Sequence, residues 1–564
     1  MTGTEEEHRR ARDGAGGDLA SAPLAQLREA VSHATAAVRG DGSESSRSLR
    51  LERPKHAGQG DYATNAAMLL APALRTGPPK IAELLARELH QELGELLERT
   101  EVAGPGFLNL FLSDAWYRRA LRDLVAAGER FGAGQTTAPE RILIEFVSAN
   151  PTGPLVAHSG RHAAYGDSLV RILERYGHAV SSEYYFNDAG SQVELLGASV
   201  KARARGEEVP PGGYAGEYVA ELAAVIPDAA DGDVGELAQT AVELLLARIK
   251  QTLDRYGVHF DTFFLERTLH EGSPSPLEVV LARLEEAGAL YRSEGALWMR
   301  TTAYGDDKDR VVVRTGGEPT YLASDLAYMV NKRDRGFERQ LNPLGADHHA
   351  YVGELKAAAA ALLGDPDAIE VPMIQFVHLV EGSQRAAMSK RKGAFVTLDE
   401  LLDEIGVDAT RFFMLRSSHD RTLDLDVELA RRQSAENPVY YVQYAHARIS
   451  SMLRRVSAGR LEEASAVRSD WGEGQLDPAE RNLIKKLASF PDELAEAATR
   501  RAPHRIAAYA LELAQEFTAF YRDCRVVGAT PEPVESFRIA LSAVSGRMIG
   551  TSLELLGVSA PESM

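Results

Sequence analysis

Hydrophobic and polar positions follow two different periods along this chain. In IAELLARELHQEL (81–93) the apolar residues recur every three or four positions, which predicts an amphipathic helix. GPGFLNLFLS (104–113) reads as a Gly/Pro turn entering a strand. RILIEFVSAN (141–150) predicts a short apolar strand. It is followed by the breaker Asn150-Pro151-Thr152-Gly153, a helix to about Tyr176, and a second strand in HAVSSEYYFND (178–188). Strand, turn, helix, strand is a βαβ unit, so a parallel sheet is expected. Ligands of such sheets bind beyond the C-terminal strand ends, where this turn would lie. Residues from about 200 to 265 read as a helical insertion broken by PPGG. The α/β character returns with VVVRT, with Leu341–His348 and with MIQFVHLV. From about 430 onward the pattern is helical throughout. There Val442, Ala445, Ile449 and Met452 step by three and four into one apolar stripe. No repeat of fixed period is visible.

Composition bounds the class. The 564 residues predict about three or four domains. With 44% apolar and 26% charged residues the chain can bury real cores, which excludes disordered, collagen-like and disulfide-rich classes. Cys524 is the single cysteine, so no internal disulfide or multi-cysteine zinc site is possible. No apolar run approaches the roughly 18 residues of a membrane helix. The opening MTGTEEEHRR lacks the order of a secretory signal. A cytoplasmic protein with no membrane contact is expected. Residues 1 to 20 read as a disordered tail.

The net charge of −19 argues against a nucleic-acid partner when averaged, but it hides a local patch. Between Arg431 and Arg460 there are six arginines, one acid (Glu436) and three tyrosines, Tyr440, Tyr441 and Tyr444. Cations interleaved with aromatics suit single-stranded bases.

Three short segments carry candidate chemistry. The Asn150 turn pairs a carboxylate, Glu145, with a helix start whose free N–H groups suit phosphate; read alone, it is a plain turn. Arg385-Ala-Ala-Met-Ser-Lys-Arg-Lys-Gly393 has four cations and no acid. It is either a solvated loop or a clamp for charge that develops in phosphoryl or adenylyl transfer. Asp347-His348-His349 invites a metal reading, but no further ligands are spaced nearby, so no protein metal site is expected.

The turn before a helix, together with Met388-Ser389-Lys390 in a basic loop, resembles the paired signatures of class I aminoacyl-tRNA synthetases. A dozen further segments in order narrow the resemblance to the arginyl-tRNA synthetase family. They include GDYATNAAMLLA (60–71), EFVSANPTG (145–153), EYYFNDAGSQ (183–192), TYLASDLAY (320–328), GADHHAYV (345–352), ENPVYYVQYAHARI (436–449) and the terminal LLGVSAPESM. The resemblance implies an α/β protein with a Rossmann-like parallel-sheet catalytic domain at 136–430. An N-terminal α/β tRNA-contacting domain at 21–135 and an all-α anticodon-binding domain at 431–564 complete it. It implies that L-arginine and ATP, with Mg2+ assisting, form arginyl-adenylate, and that the arginyl group passes to tRNA(Arg). A monomer is the family's usual state.

Site residues follow by resemblance. Asp325 would pair the guanidinium, Tyr321 orient it, Glu145 add a second acidic contact, and Asn150 hold the amino-acid head group. The spacing of Tyr321 and Asp325 puts them on one helix face, and a guanidinium calls for carboxylates in fork geometry. Pro151, Thr152, Gly153, Asp347, His348, Met388, Ser389 and Lys390 would face ATP, with Lys390 on the leaving pyrophosphate. Tyr440, Tyr441, Tyr444, Arg448 and Met564 would contact the anticodon, and Phe107 and Asn109 the tRNA elbow.

The sequence departs from the family in both signatures. Where the family has His-x-Gly-His, this chain has Val156, Ala157, His158 and Ser159. Ala387 replaces the first residue of Lys-Met-Ser-Lys. His158 and His162, four apart on one helix face, either restore a phosphate contact or are surface histidines. Arg161 occupies a position that usually holds Arg. Two functions follow: an arginine–tRNA ligase, or a tRNA-binding paralogue that has lost activation.

Overall fold

The structure is a computed structural model. It describes residues 22–40, 49–54, 56, 58–188, 190–381, 396–467 and 470–564, and the backbone of 384–385. The tail at 1–20 lies outside the described residues.

Near the N-terminus, helices Pro23–Arg39, Ala66–Leu74 and Pro78–Leu93 accompany a four-stranded antiparallel sheet. Its order is Leu51–Glu52, Tyr62–Thr64, Phe107–Leu112, Leu97–Ala103. Strand alternation sends Leu108, Leu110 and Leu112 into the core and turns Phe107 and Asn109 to the opposite face.

The central sheet has five strands, all parallel. Its order is Ile369–Glu370, Arg339–Leu341, Arg141–Glu145, Ala179–Phe186, Thr262–Leu265. Arg141–Glu145 is the first of these strands in the chain and lies in the middle. The chain builds outward to one side and then to the other. The switch point therefore falls between Glu145 and the end of Arg339–Leu341, where a crevice forms. Helix Ala157–Tyr176 makes the first crossover. It lies so close to the strand end that a Cβ at Gly166 would sit 2.2 Å from the Phe146 ring, which explains the glycine.

Two expectations need correction. The helical insertion (Ser191–Ala204, Glu217–Val225, Val234–Arg255) ends before residue 262, because Thr262–Leu265 is an edge strand of the central sheet. VVVRT does not join that sheet: Arg310–Val313 belongs to a separate antiparallel sheet with Leu290–Ser293 and Ala296–Met299. Runs of β-branched residues signal a strand without naming its partner.

The C-terminal region is a bundle of helices: Pro438–Leu453, Ala458–Ala464, Pro478–Ala488, Phe490–Thr499, His504–Asp523 and Glu532–Leu555. Val442, Ala445, Ile449 and Met452 are all buried in its core. Asp61–Lys485 (3.0 Å) and Asp114–Arg481 (2.8 Å) tie the N-terminal region to this bundle.

Arg411 joins the bundle to the catalytic layer. Its side chain is fully buried. It donates to Leu556 O (2.9 Å), Tyr256 O (3.1 Å) and the carboxylate of Asp167. Tyr256 and Leu556 cap the C-termini of two helices, where backbone carbonyls lack intrahelical donors and the helix dipole is negative. Removing the cation would strand both carbonyls and leave Asp167 with Arg171 alone. Arg411→Met should cost about 3–5 kcal/mol, read as a lower denaturant midpoint of the full chain. An unchanged midpoint would show that the junction does not depend on this cation.

Candidate active site

A cavity of about 460 Å³ opens at the switch point. The strand Arg141–Glu145 ends in a strained turn, with Val147 at φ 66° and Ser148 at φ 37°. Left-handed backbone at a β-branched residue is costly, and such outliers concentrate at functional sites. The turn is fixed from both sides: Ser148 Oγ accepts from the Tyr185 N–H (3.1 Å) and donates to Glu145 Oε1 (3.2 Å).

The cavity brings together Glu145, Asn150, Tyr321, Asp325, Asp347, His348, His158 and His162. Helix Tyr321–Asp334 supplies one wall. Tyr321 stands at its first position, 62% exposed, and Asp325 lies one turn deeper. Asp325 accepts from the Tyr351 hydroxyl and forms no ion pair among the described residues. Burial is the main force that pushes its carboxyl up to about 7; nearby Glu145 adds to this, and the Tyr351 hydrogen bond opposes it.

Glu145 is not free for a ligand cation. Its Oε2 accepts from Lys332 Nζ at 2.6 Å and Asn342 Nδ2 at 2.8 Å, and Lys332 is itself buried. The second carboxylate is Glu266, which the sequence reading missed. It lines the cavity beside Ser324 and Tyr185, and burial raises its pKa; its Oε1 stands 3.9 Å from His270, and its Oε2 is buried with no hydrogen-bond partner. Glu266 sits in no local motif. Lys332 and Tyr351 were findable: Lys332 follows Asp325 by seven on one helix face, and Tyr351 lies within GADHHAYV.

Other expected residues fall elsewhere. Arg161 does not line the cavity. It is buried, and it donates to the carbonyls of Gln375 (2.7 Å), Arg421 (2.8 Å) and Ser418 (2.9 Å), so its guanidinium braces backbone. Pro151, Thr152 and Gly153 also stand outside the lining, with Thr152 O held by the Tyr218 hydroxyl at 2.6 Å. Asn150 lines the cavity while its amide donates to Gln192 Oε1 (2.8 Å). Met388, Ser389 and Lys390 lie outside the described residues.

In the helical bundle Tyr440 and Tyr444 stack at 6.0 Å and 8°. Arg448 lies over both Tyr444 (4.7 Å) and Tyr521 (5.5 Å), a member that the sequence did not suggest. Tyr441 turns inward against the core. Met564 and Phe107 are exposed, whereas Asn109 is only 6% exposed and has little surface for a partner.

Comparison with known proteins fits this layout. Residues 215–450 match the family model for "tRNA synthetases class I (R), catalytic domain". Residues 25–112 match "Arginyl tRNA synthetase N terminal domain", and 442–564 match "DALR anticodon binding domain". The fold is that of a class I aminoacyl-tRNA synthetase. Over 530 residues the chain is 45% identical to an arginine–tRNA ligase of Frankia alni, covering 92% of this chain and 95% of that relative. The chain belongs to the arginyl-tRNA synthetase family. Two solved structures share the fold. The arginyl-tRNA synthetase of Thermus thermophilus is 24% identical with a TM-score of 0.72, covering 96% of this chain and 99% of that one. That of Plasmodium falciparum is 17% identical with a TM-score of 0.74, covering 96% and 98%. Residues 113–214, which include helix Ala157–Tyr176, lie outside the three family matches.

The charge of Asp325 sets a pH dependence. A guanidinium needs the ionised carboxylate, and the empty site holds the proton up to about pH 7. L-arginine binding should therefore release a proton, and affinity should weaken by up to about tenfold per unit below pH 7. Calorimetry in buffers of different ionisation heat reads that proton. Binding independent of pH and buffer would refute the assignment.

Proposed function

We propose that this chain is an arginine–tRNA ligase that acts as a monomer in the cytoplasm. It activates L-arginine with ATP and transfers the arginyl group to tRNA(Arg). The observation that carries the reading is the pair of carboxylates, Asp325 and Glu266, that line one cavity at the switch point without a Lys or Arg partner among the described residues. A guanidinium is planar and offers five donors, so it can bond both acids at once. Lysine has a single ammonium and cannot span them in that geometry. Tyr321 orients the side chain at the mouth. Asn150 holds the amino-acid head group, and Glu145 contributes through its pair with Lys332 rather than as a free acid.

An arginine carboxylate oxygen then attacks the α-phosphorus of ATP. The bond from that phosphorus to the bridging oxygen breaks, and pyrophosphate leaves with the electron pair. In the second step the 2′-hydroxyl of the terminal ribose attacks the carbonyl carbon, and AMP leaves. Positioning and charge stabilisation supply the rate. Asp347 and His348 face the nucleotide from the far wall, and Lys390 is assigned to the pyrophosphate. Mg2+ enters with the triphosphate as part of the substrate. Among the described residues no group of three or more His, Cys, Asp or Glu is placed to hold a metal ion.

The stacked Tyr440 and Tyr444, with Arg448 over Tyr444, present an aromatic and cationic face that suits unpaired anticodon bases. Phe107 is assigned to the tRNA elbow. A tRNA-binding paralogue without activation is not favoured, because it has no use for an acidic cavity at the switch point.

Charging of tRNA(Arg) with labelled arginine and ATP, with lysine as control, tests the function; absence of arginine-specific product would reject it. Asp325→Ala should weaken arginine binding at least about 100-fold while leaving the gel-shift affinity for tRNA unchanged. Tyr444→Ala should do the reverse. It should weaken tRNA binding by about 1–3 kcal/mol and leave the KM for arginine in place.

A further inference from the structure

Helix Ala157–Tyr176 opens into the cavity with no side-chain cap at its N-terminus. Val156, the preceding residue, is pinned in a β-bridge with Thr397, and the Ala157 N–H donates to Val396 O at 2.9 Å. This fixes the first signature position as backbone structure, and Val156 does not line the cavity. His158, Ser159 and His162 do.

The two imidazoles are built as a pair. Their rings meet edge to face at 4.9 Å and 74°. Phe376 lies against the other side of His158 at 5.5 Å and 30°, fixing that ring. His158 Nδ1 is buried without a partner, so Nε2 is the nitrogen left for the cavity, on the side of Gly345 and Asp347. His162 is 8% exposed and makes no hydrogen bond among the described residues. A polar ring buried that deeply on a cavity wall is costly unless a ligand completes it.

We propose that His158 and His162 are the phosphate-contacting pair of this chain. Each donates an imidazole N–H to the ATP triphosphate, from positions shifted along the helix from Val156 and Ser159, where the family signature carries its histidines. The proposal rests on reading this cavity as the adenylation site. Burial keeps both rings neutral; it lowers His162 to about 3, helped by His158, Arg161 and His348. The same burial lowers His158, against the opposing pull of Asp347. A neutral imidazole still offers one N–H. The step needs no proton from it: phosphorus gains the carboxylate oxygen and loses the bridging oxygen. Negative charge grows on the leaving pyrophosphate, and two fixed donors beside the helix N-terminus stabilise that charge.

Arginine-dependent ATP–pyrophosphate exchange, run with tRNA present on the full chain, tests the pair. His158→Ala and His162→Ala should each lower kcat about 100-fold, with the dissociation constant for arginine unchanged. His158→Gln, which keeps an N–H donor, should recover most of the loss; a residue needed only for packing would not show this pattern. Alanine variants with wild-type kcat would overturn the proposal, as would a glutamine variant as poor as alanine. If His162→Ala melts at a lower temperature, the His158 variants decide alone, because that ring is only partly buried. If the wild-type chain shows no exchange at all, the ligase reading fails first. The pair is then judged by MgATP binding in equilibrium dialysis: weaker binding by His158→Ala upholds it, and unchanged binding overturns it.

Discussion

The buried pair of Asp167 and Arg411 is the constraint on which the rest of the molecule hangs. A charge removed from water is tolerated only when its hydrogen-bonding capacity is filled. Arg411 meets that condition by collecting the last carbonyls of two helices, which would otherwise be orphans, and a carboxylate from a third that it shares with Arg171. Asp167 in turn holds Arg171 at 2.9 Å. Gly557 follows from this, since a Cβ there would fall 2.1 Å from the Arg411 guanidinium. One cation thus sets the relative positions of the insertion, the final helix and the helix behind the cavity.

That last helix, Ala157–Tyr176, is a strut shared by the site and the bundle. Its N-terminal turn forms cavity wall. Further along, Tyr165 donates to Arg501 O (2.9 Å), Ser168 to Leu555 O (2.7 Å) and Arg175 to Glu129 O (2.8 Å). Arg161 ties the same helix to the loop around Ser418 and to the backbone at Gln375, next to Phe376. These bonds fix the turn that carries His158 relative to the helical bundle.

Local patterns were legible in the sequence, and through-space pairings were not. The helix ending at Tyr176, the strand after it and the stripe from Val442 to Met452 are periodic signals that each element carries by itself. Tyr321 and Asp325 are a spacing signal, and the cavity contains both. The partnership of Glu145 with Lys332 crosses 187 positions and has no local trace. Glu266 is invisible for the same reason: it becomes a site residue only because the edge strand Thr262–Leu265 delivers it there. Arg161 shows the opposite error. Its place at a position where the family usually carries Arg suggested a functional role, whereas burial beside three backbone carbonyls gave it a structural task.

The charge balance of the cavity explains why a lysine stands inside a site for a cation. Glu145, Asp325 and Glu266 together would place three negative charges in one poorly solvated space. Like charges so close cannot all stay ionised, and protons would fill the site in place of substrate. Lys332 removes one of the three by a direct pair with Glu145, and its field also pulls the Asp325 carboxyl down. Two acids remain, Asp325 held by the Tyr351 hydroxyl and Glu266 beside His270 at 3.9 Å. In the proposed reading a guanidinium spread over both neutralises them, whereas an ammonium in the same place leaves one acid buried without a full cation, a penalty that falls on the wrong amino acid alone.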